Sequence, residues 1–123
     1  MALDVLIVDD SAAIRKILQR VLRQADLPIG NVYEAGDGKE ALESVRSHSI
    51  GLILSDVNMP NMDGLQLLAE IKTKEEWRGL PIIMISTEGS ETKVSEAMRL
   101  GSAGYIRKPF TAEQIKQKLA PLF

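Results

Sequence analysis

Five short apolar, β-rich runs alternate along this chain with longer stretches whose apolar residues recur at helical spacing. That pattern arises when parallel strands are joined by crossover helices. Right-handed crossovers then leave an open α/β sheet, doubly wound, with helices on both faces and every strand carboxyl end on one edge. The first run, Leu3 to Val8, is almost unbroken in its apolarity, as expected for a strand buried on both faces. The following helix places Ile14, Ile17, Leu18, Val21 and Leu22 inward, with Arg15, Lys16, Arg20 and Arg23 on a solvated face. Leu27-Pro28-Ile29-Gly30 stops it, and a weaker strand runs from Asn31 to Ala35. Gly36-Asp37-Gly38 turns into a helix carrying Ala41, Leu42 and Val45. The third strand, Gly51 to Ser55, ends at Asp56 and a long loop through Gly64, before a helix with Leu65, Leu68 and Ile71. The fourth strand, Ile82 to Ile85, ends at Ser86, and its helix carries Val94, Ala97 and Met98 before a left-handed stop at Leu100-Gly101. The fifth, around Ala103 to Arg107, ends at Lys108-Pro109; Thr111 and Gln114 form a capping box for a last helix with Ile115 and Leu119 inward.

Composition narrows the function classes. A chain of 123 residues with no linker, low-complexity tract or repeat reads as one domain over 1–123. Its 15 basic and 17 acidic residues leave no electrostatic footprint for nucleic acid or an anionic membrane. With no cysteine and one histidine, His48, any metal must be held by oxygen. No apolar run approaches the ~20 residues of a membrane span. Met1-Ala2-Leu3-Asp4 leads straight into a strand without a signal-peptide pattern, so a cytoplasmic location is expected.

The polar residues that end the strands converge on the shared edge: Asp9 and Asp10 after the first, Asp56 after the third, Ser86 after the fourth and Lys108 after the fifth. Each alone reads as a helix cap or a solvated lysine. Together they form a site. Three crowded carboxylates repel unless a cation compensates, and with no soft ligands Mg²⁺ in oxygen coordination fits best, with Mn²⁺ a substitute. The set also suits phosphoryl transfer to a carboxylate: Asp56 as nucleophile, Lys108 screening charge, a hydroxyl donating a hydrogen bond, and the Asn58 backbone carbonyl completing the metal shell.

Val8-Asp9-Asp10-Ser11, Asp56 through Gly64, Ser86 and Tyr105-Ile106-Arg107-Lys108-Pro109-Phe110 stand in the order and spacing of a known family. Over essentially its whole length the chain resembles a bacterial response-regulator receiver domain, most closely the chemotaxis type. That resemblance implies a flavodoxin-like five-stranded sheet in the order 2-1-3-4-5 with five helices. It implies a phosphorylatable regulator of a two-component pathway, with Asp56 accepting a phosphoryl group from a histidine kinase or phosphotransfer protein. Asp10, Asp56 and the Asn58 carbonyl would bind Mg²⁺, Asp9 would support it through water, and Lys108, before a cis Pro109, would pair with the phosphate. Ser86 and Tyr105 would form the switch, with the hydroxyl moving toward the phosphate and the ring filling the space left behind. Asn58 and Glu88 match a pair that tunes dephosphorylation, while Thr87 is bulkier than the residue common there. The readout surface would be the fourth helix, fifth strand and fifth helix, binding a downstream protein such as a flagellar motor switch. The domain would act as a monomer, consumed as a substrate rather than turning over as an enzyme.

Other readings differ in class. A receiver cut from a larger regulator would have a separate output domain, whereas here the chain stops soon after the fifth helix. A Mg²⁺-dependent aspartyl phosphatase would want an Asp-x-Asp pair at its nucleophile, and a flavin carrier a hydroxyl- and glycine-rich first loop; Asp56-Val57-Asn58 and Asp9-Asp10-Ser11-Ala12 supply neither. His48 reads as a solvated loop residue and Trp77 as a packing residue. The basic face of the first helix reads as solvated, with docking of the phosphotransfer partner at its start a minority reading.

Overall fold

A computed structural model describes residues 2–87 and 89–123. Its strands are β1 (Leu3–Val8), β2 (Ile29–Ala35), β3 (Leu52–Ser55), β4 (Ile82–Ser86) and β5 (Gly104–Arg107). Its helices are α1 (Ala12–Gln24), α2 (Gly38–Ser47), α3 (Gly64–Lys72), α4 (Glu91–Arg99) and α5 (Ala112–Leu119), with short 3-10 turns at Glu75–Trp77 and Ala120–Leu122. The strands form one parallel sheet in the order β2-β1-β3-β4-β5. The expected fold and strand order are those observed.

The unbroken apolarity of the central strands follows from coverage on both faces. Val5 and Ile7 of β1, Leu52 and Leu54 of β3, and Ile83 and Ile85 of β4 join Leu18, Leu22, Ile115 and Leu119 in one layer. The alternate residues Leu6, Val8, Ile53, Ile82 and Met84 join Ala41, Leu68, Ile71 and Ala97 in the other. Successive side chains of a strand point to opposite faces, so each strand serves both layers. Each such side chain contributes about 1.5–3 kcal/mol by leaving water.

Two helix readings need correction. Ile17 is 43% exposed and Met98 48% exposed, although both were expected inward. At 3.6 residues per turn each lies about 100° around its helix from the buried neighbour, Leu18 or Ala97, and falls on the flank of the buried arc. The second strand also begins earlier than expected. α1 ends at Gln24, Asp26 takes a left-handed φ of 58°, and Ile29 already pairs with Leu3. The stop expected at Leu100-Gly101 is present, with Gly101 at φ 103°, a conformation that favours glycine.

The winding reverses between β1 and β3, and the cleft outside their carboxyl ends is the ligand-binding position of such sheets. The long loop after β3 is pinned there. Asn61, at φ 65°, donates its side-chain amide to Asp37 Oδ2 at 2.7 Å. The Gly38 amide donates to the Met62 carbonyl at 3.0 Å, and the Gly64 amide to the Val57 carbonyl at 2.8 Å. Asp63 and Gln66 close a capping box on α3. A Cβ on Gly64 would fall on the Asp56 carbonyl oxygen, so only glycine lets α3 start directly beneath the strand end. Gly64→Ala is expected to cost about 2 kcal/mol or more in urea unfolding. Gly79→Ala, where a Cβ meets nothing within 4 Å, should be neutral or slightly stabilising. Equal effects would show that the close approach at Gly64 does not constrain the loop.

Candidate functional site

Three of the expected residues meet because their strands are neighbours. β1 delivers Asp9 and Asp10, β3 delivers Asp56, and one carboxylate oxygen of each lies within 4.8 Å of the others. Asp9 is 2% exposed and each of its polar atoms is engaged. Its amide donates to the Ala35 carbonyl at 3.0 Å, and its carbonyl accepts from Arg15 Nη1 at 2.6 Å. Its Oδ1 accepts from the Ser11 amide at 2.8 Å and its Oδ2 from Lys108 Nζ at 2.7 Å. Asp56 is held less tightly: Oδ1 accepts from the Val57 amide at 2.8 Å, while Oδ2 lies 3.4 Å from Lys108 Nζ. Asp10 is exposed beside them.

Burial pushes the Asp56 carboxyl above its ordinary value of 3.8; the Lys108 ammonium opposes that shift and the Asp9 charge adds to it. Among the described residues, the Lys108 ammonium pairs with Asp9 and Asp56 while Asp10 stands beside them, so the clustered carboxylates outnumber it. An all-oxygen donor set at this spacing fits a hard divalent cation. The nitrogen donor of His48 is elsewhere, at the carboxyl end of α2.

Ser86 is buried at the end of β4, and its carbonyl accepts from the Lys108 amide at 2.8 Å. The Lys108–Pro109 peptide is cis. Tyr105 is half-buried, opposite Met84 in register, and packs on the layer that contains α3. Asn58 and Thr87 are exposed in their loops, and Glu88 lies outside the described residues. Trp77 packs against the core from its 3-10 turn. His48 is exposed as expected, yet its ring stacks on Tyr33 with centroids 4.0 Å apart. A groove of about 570 Å³ runs past His48 and Trp77, but its lining includes none of the clustered carboxylates.

Arg15 corrects the reading of the first helix's polar face as solvated. Besides Asp9, it binds Glu34 of β2 through Nε at 2.9 Å, and its side chain is only 20% exposed. Asp37 is a second residue that sequence reasoning took only as part of a turn. It caps α2 through the Glu40 amide and accepts from Asn61, and these bonds hold its carboxyl below the usual range. The Gly36-Asp37-Gly38 segment carried the signal of a cap, but its partner across the fold had none.

The family model "Response regulator receiver domain" matches residues 5–120. The protein "Chemotaxis protein CheY-3" of Vibrio cholerae serotype O1 is 41% identical over 119 residues, covering 97% of this chain and 90% of the relative. The solved structure of the chemotaxis response regulator CheY4 of Vibrio cholerae superposes with a TM-score of 0.89 at 33% identity, covering 100% of both chains. The CheY of a CheX-CheY-BeF3-Mg+2 complex from Borrelia burgdorferi gives a TM-score of 0.90 at 30% identity, covering 98% of this chain and 89% of that one.

The raised pKa of Asp56 sets a testable sign. Because ionising this carboxyl is harder in the folded chain, its contribution to stability is present below 3.8 and is lost as pH rises through the folded value. With chelator present, Asp56→Asn should therefore unfold at higher urea than the wild type at pH 7, and the gap should close as pH falls toward 3.8. Lys108 keeps Asp9 as its partner in the variant. A midpoint at pH 7 equal to or below that of the wild type would contradict the burial argument.

Proposed function

The chain belongs to the response regulator receiver family, and from that premise we propose that it is a phosphorylatable switch of a two-component pathway of the chemotaxis type. The observation that carries this reading is the buried Asp56 carboxylate at the reversal of the sheet, with Lys108 Nζ 3.4 Å from its Oδ2 and two further carboxylates beside it. A histidine kinase or phosphotransfer protein is the donor. An Asp56 carboxylate oxygen attacks phosphorus, a P–O bond forms as the P–N bond to the donor histidine breaks, and the departing imidazole takes up a proton. Water later cleaves the acyl phosphate and regenerates the carboxylate. Receiver domains are signal transducers, and this one is consumed as a substrate between those two steps.

Asp10, Asp56 and the Asn58 carbonyl would hold Mg²⁺, with Asp9 supporting it through water. The relative in the Borrelia complex is described with Mg²⁺ and BeF3. When bound, the ion supplies positive charge that neutralises oxygens of the transferred group. Lys108, whose Nζ lies 3.4 Å from Asp56 Oδ2, would pair with the same group, and the cis Pro109 follows it. Asn58 and Glu88 are the pair proposed to place the water of dephosphorylation.

The switch runs through Ser86 and Tyr105. The Ser86 hydroxyl moves to a phosphoryl oxygen, and the half-buried Tyr105 ring follows into the space behind β4. The surface of α4, β5 and α5 then changes its affinity for a downstream protein, by no more than the differential interaction of the phosphoryl group with the two packings.

Incubation of the chain with acetyl phosphate, with and without Mg²⁺, followed by intact-mass measurement tests the reading. The wild type should gain one phosphoryl group only with the metal, and Asp56→Asn should gain none. Lys108→Gln should accumulate the group roughly 10²-fold more slowly, the scale of losing one donor to a developing oxyanion. An undiminished gain in Asp56→Asn would reject the acceptor, and an undiminished gain in chelator would reject the metal.

A further inference from the structure

A guanidinium next to a cluster that must hold a cation is, by charge alone, in the wrong place. Arg15 is nevertheless drawn to the backbone of the acidic pair, with Nη1 donating to the Asp9 carbonyl at 2.6 Å. Its Nε donates to Glu34 Oε1 at 2.9 Å, and the two side chains are only 20% and 36% exposed. The geometry points to Arg15 as a positioning residue for the divalent cation, with Glu34 as the counter-charge that makes its presence there tolerable. This inference rests on the Mg²⁺ reading of the carboxylate cluster and adds to it two residues that touch neither metal nor phosphoryl group.

Three observations support it. The Asp9 carbonyl belongs to the peptide that joins Asp9 to Asp10, so a donor on that oxygen fixes the plane from which the exposed Asp10 side chain departs. The other atoms of Asp9 are already held, by the Ala35 carbonyl, the Ser11 amide and Lys108, which leaves this oxygen as the point where α1 grips the loop. Glu34 comes from β2, the edge strand beyond β1, in register with Ile7. The pair thus braces the acidic loop against a separate element. A fork donor can bond the carbonyl and the carboxylate at once, which the single ammonium of a lysine does less well.

The sign of the effect separates positioning from charge. Removing a positive charge near a cation site should by Coulomb's law tighten cation binding. Removing a group that orients a ligand should loosen it, by roughly tenfold or more for outer partners of metal ligands. A group that only braces the fold should change stability and leave the affinity alone.

The experiment is calorimetric titration of the 123-residue chain with MgCl₂ at about 10 mM and about 1 M monovalent salt, where screening lengths are roughly 30 Å and 3 Å. Urea unfolding of each protein is run in parallel. Arg15→Met is expected to bind Mg²⁺ roughly tenfold more weakly than the wild type at both salt concentrations. Glu34→Gln, which uncovers the guanidinium charge, is expected to weaken binding several-fold at low salt and much less at high salt. Lys16→Met, which removes an exposed charge from the same helix, should bind as the wild type or slightly tighter. Unchanged or tighter binding by Arg15→Met would overturn the inference, as would wild-type affinity of Glu34→Gln at low salt; the latter arm stands even if Arg15→Met fails to fold. A wild-type chain without Mg²⁺ affinity would overturn both this inference and the metal reading beneath it, whereas the variant results bear on this inference alone.

Discussion

The side-by-side carboxylates of Asp9 and Asp56 depend on one ammonium. Lys108 reaches them from the end of β5, ninety-nine positions along the chain from Asp9, and sits 2.7 Å from one and 3.4 Å from the other. Without it, two nearly buried anions would face each other across the join of β1 and β3, where water is scarce and like charge is costly. The lysine is itself aimed by the strand beneath it, since its amide bonds the Ser86 carbonyl at 2.8 Å. Lys108 thus joins four strand ends: its ammonium pairs with carboxylates after β1 and β3, and its amide, just past β5, bonds the last residue of β4.

Much of this was legible in the sequence, for reasons that differ by residue. The strands were readable because continuous apolarity in runs such as Val5 to Val8 and Ile82 to Ile85 has few solutions other than burial on both faces. Once the strands are placed, parallel topology brings their ends together, and so the grouping of Asp9, Asp10, Asp56 and Lys108 could be expected before any coordinates. Ile17 and Met98 failed because an apolar residue on the flank of a helical arc carries the same signal as one at its centre. Arg15 was missed because a charged residue on a helix face looks solvated until its partners, a backbone oxygen and a glutamate on another strand, are seen. Asn61 was missed likewise: its bond to Asp37 spans 24 positions and no periodicity announces it.

The anchoring of the acidic cleft is unequal, and the inequality bears on what can move. Asp9 is bonded at its amide, its carbonyl and both carboxylate oxygens, and the loop after β3 is tied to α2 through Asp37 and Gly38. Among the described residues, Asp56 offers one carboxylate oxygen to the Val57 amide at 2.8 Å and holds the other 3.4 Å from Lys108 Nζ. The oxygen most open to form a new bond is thus on the residue proposed as nucleophile, while the surrounding scaffold resists displacement.

Lys108 then becomes the point of competition in the proposed reaction. A phosphoryl group on Asp56 presents new anionic oxygens to the same ammonium that now sits 2.7 Å from Asp9. If Lys108 turns to those oxygens, Asp9, 2% exposed, retains its Ser11 amide but loses its close ammonium partner, and an uncompensated buried carboxylate costs several kcal/mol. On that reading, acceptance of the phosphoryl group would be coupled to the presence of further positive charge at the cluster. In the proposed reaction the phosphoryl oxygens would engage Lys108 of β5 and the Ser86 hydroxyl of β4, two strand ends already tied to each other and, through Lys108, to the acidic loop of β1. On that reading a phosphoryl group on Asp56 would act toward the α4 face through β4 and β5, because Asp9 and Asp56 already share the Lys108 ammonium and the Lys108 amide is bonded to Ser86.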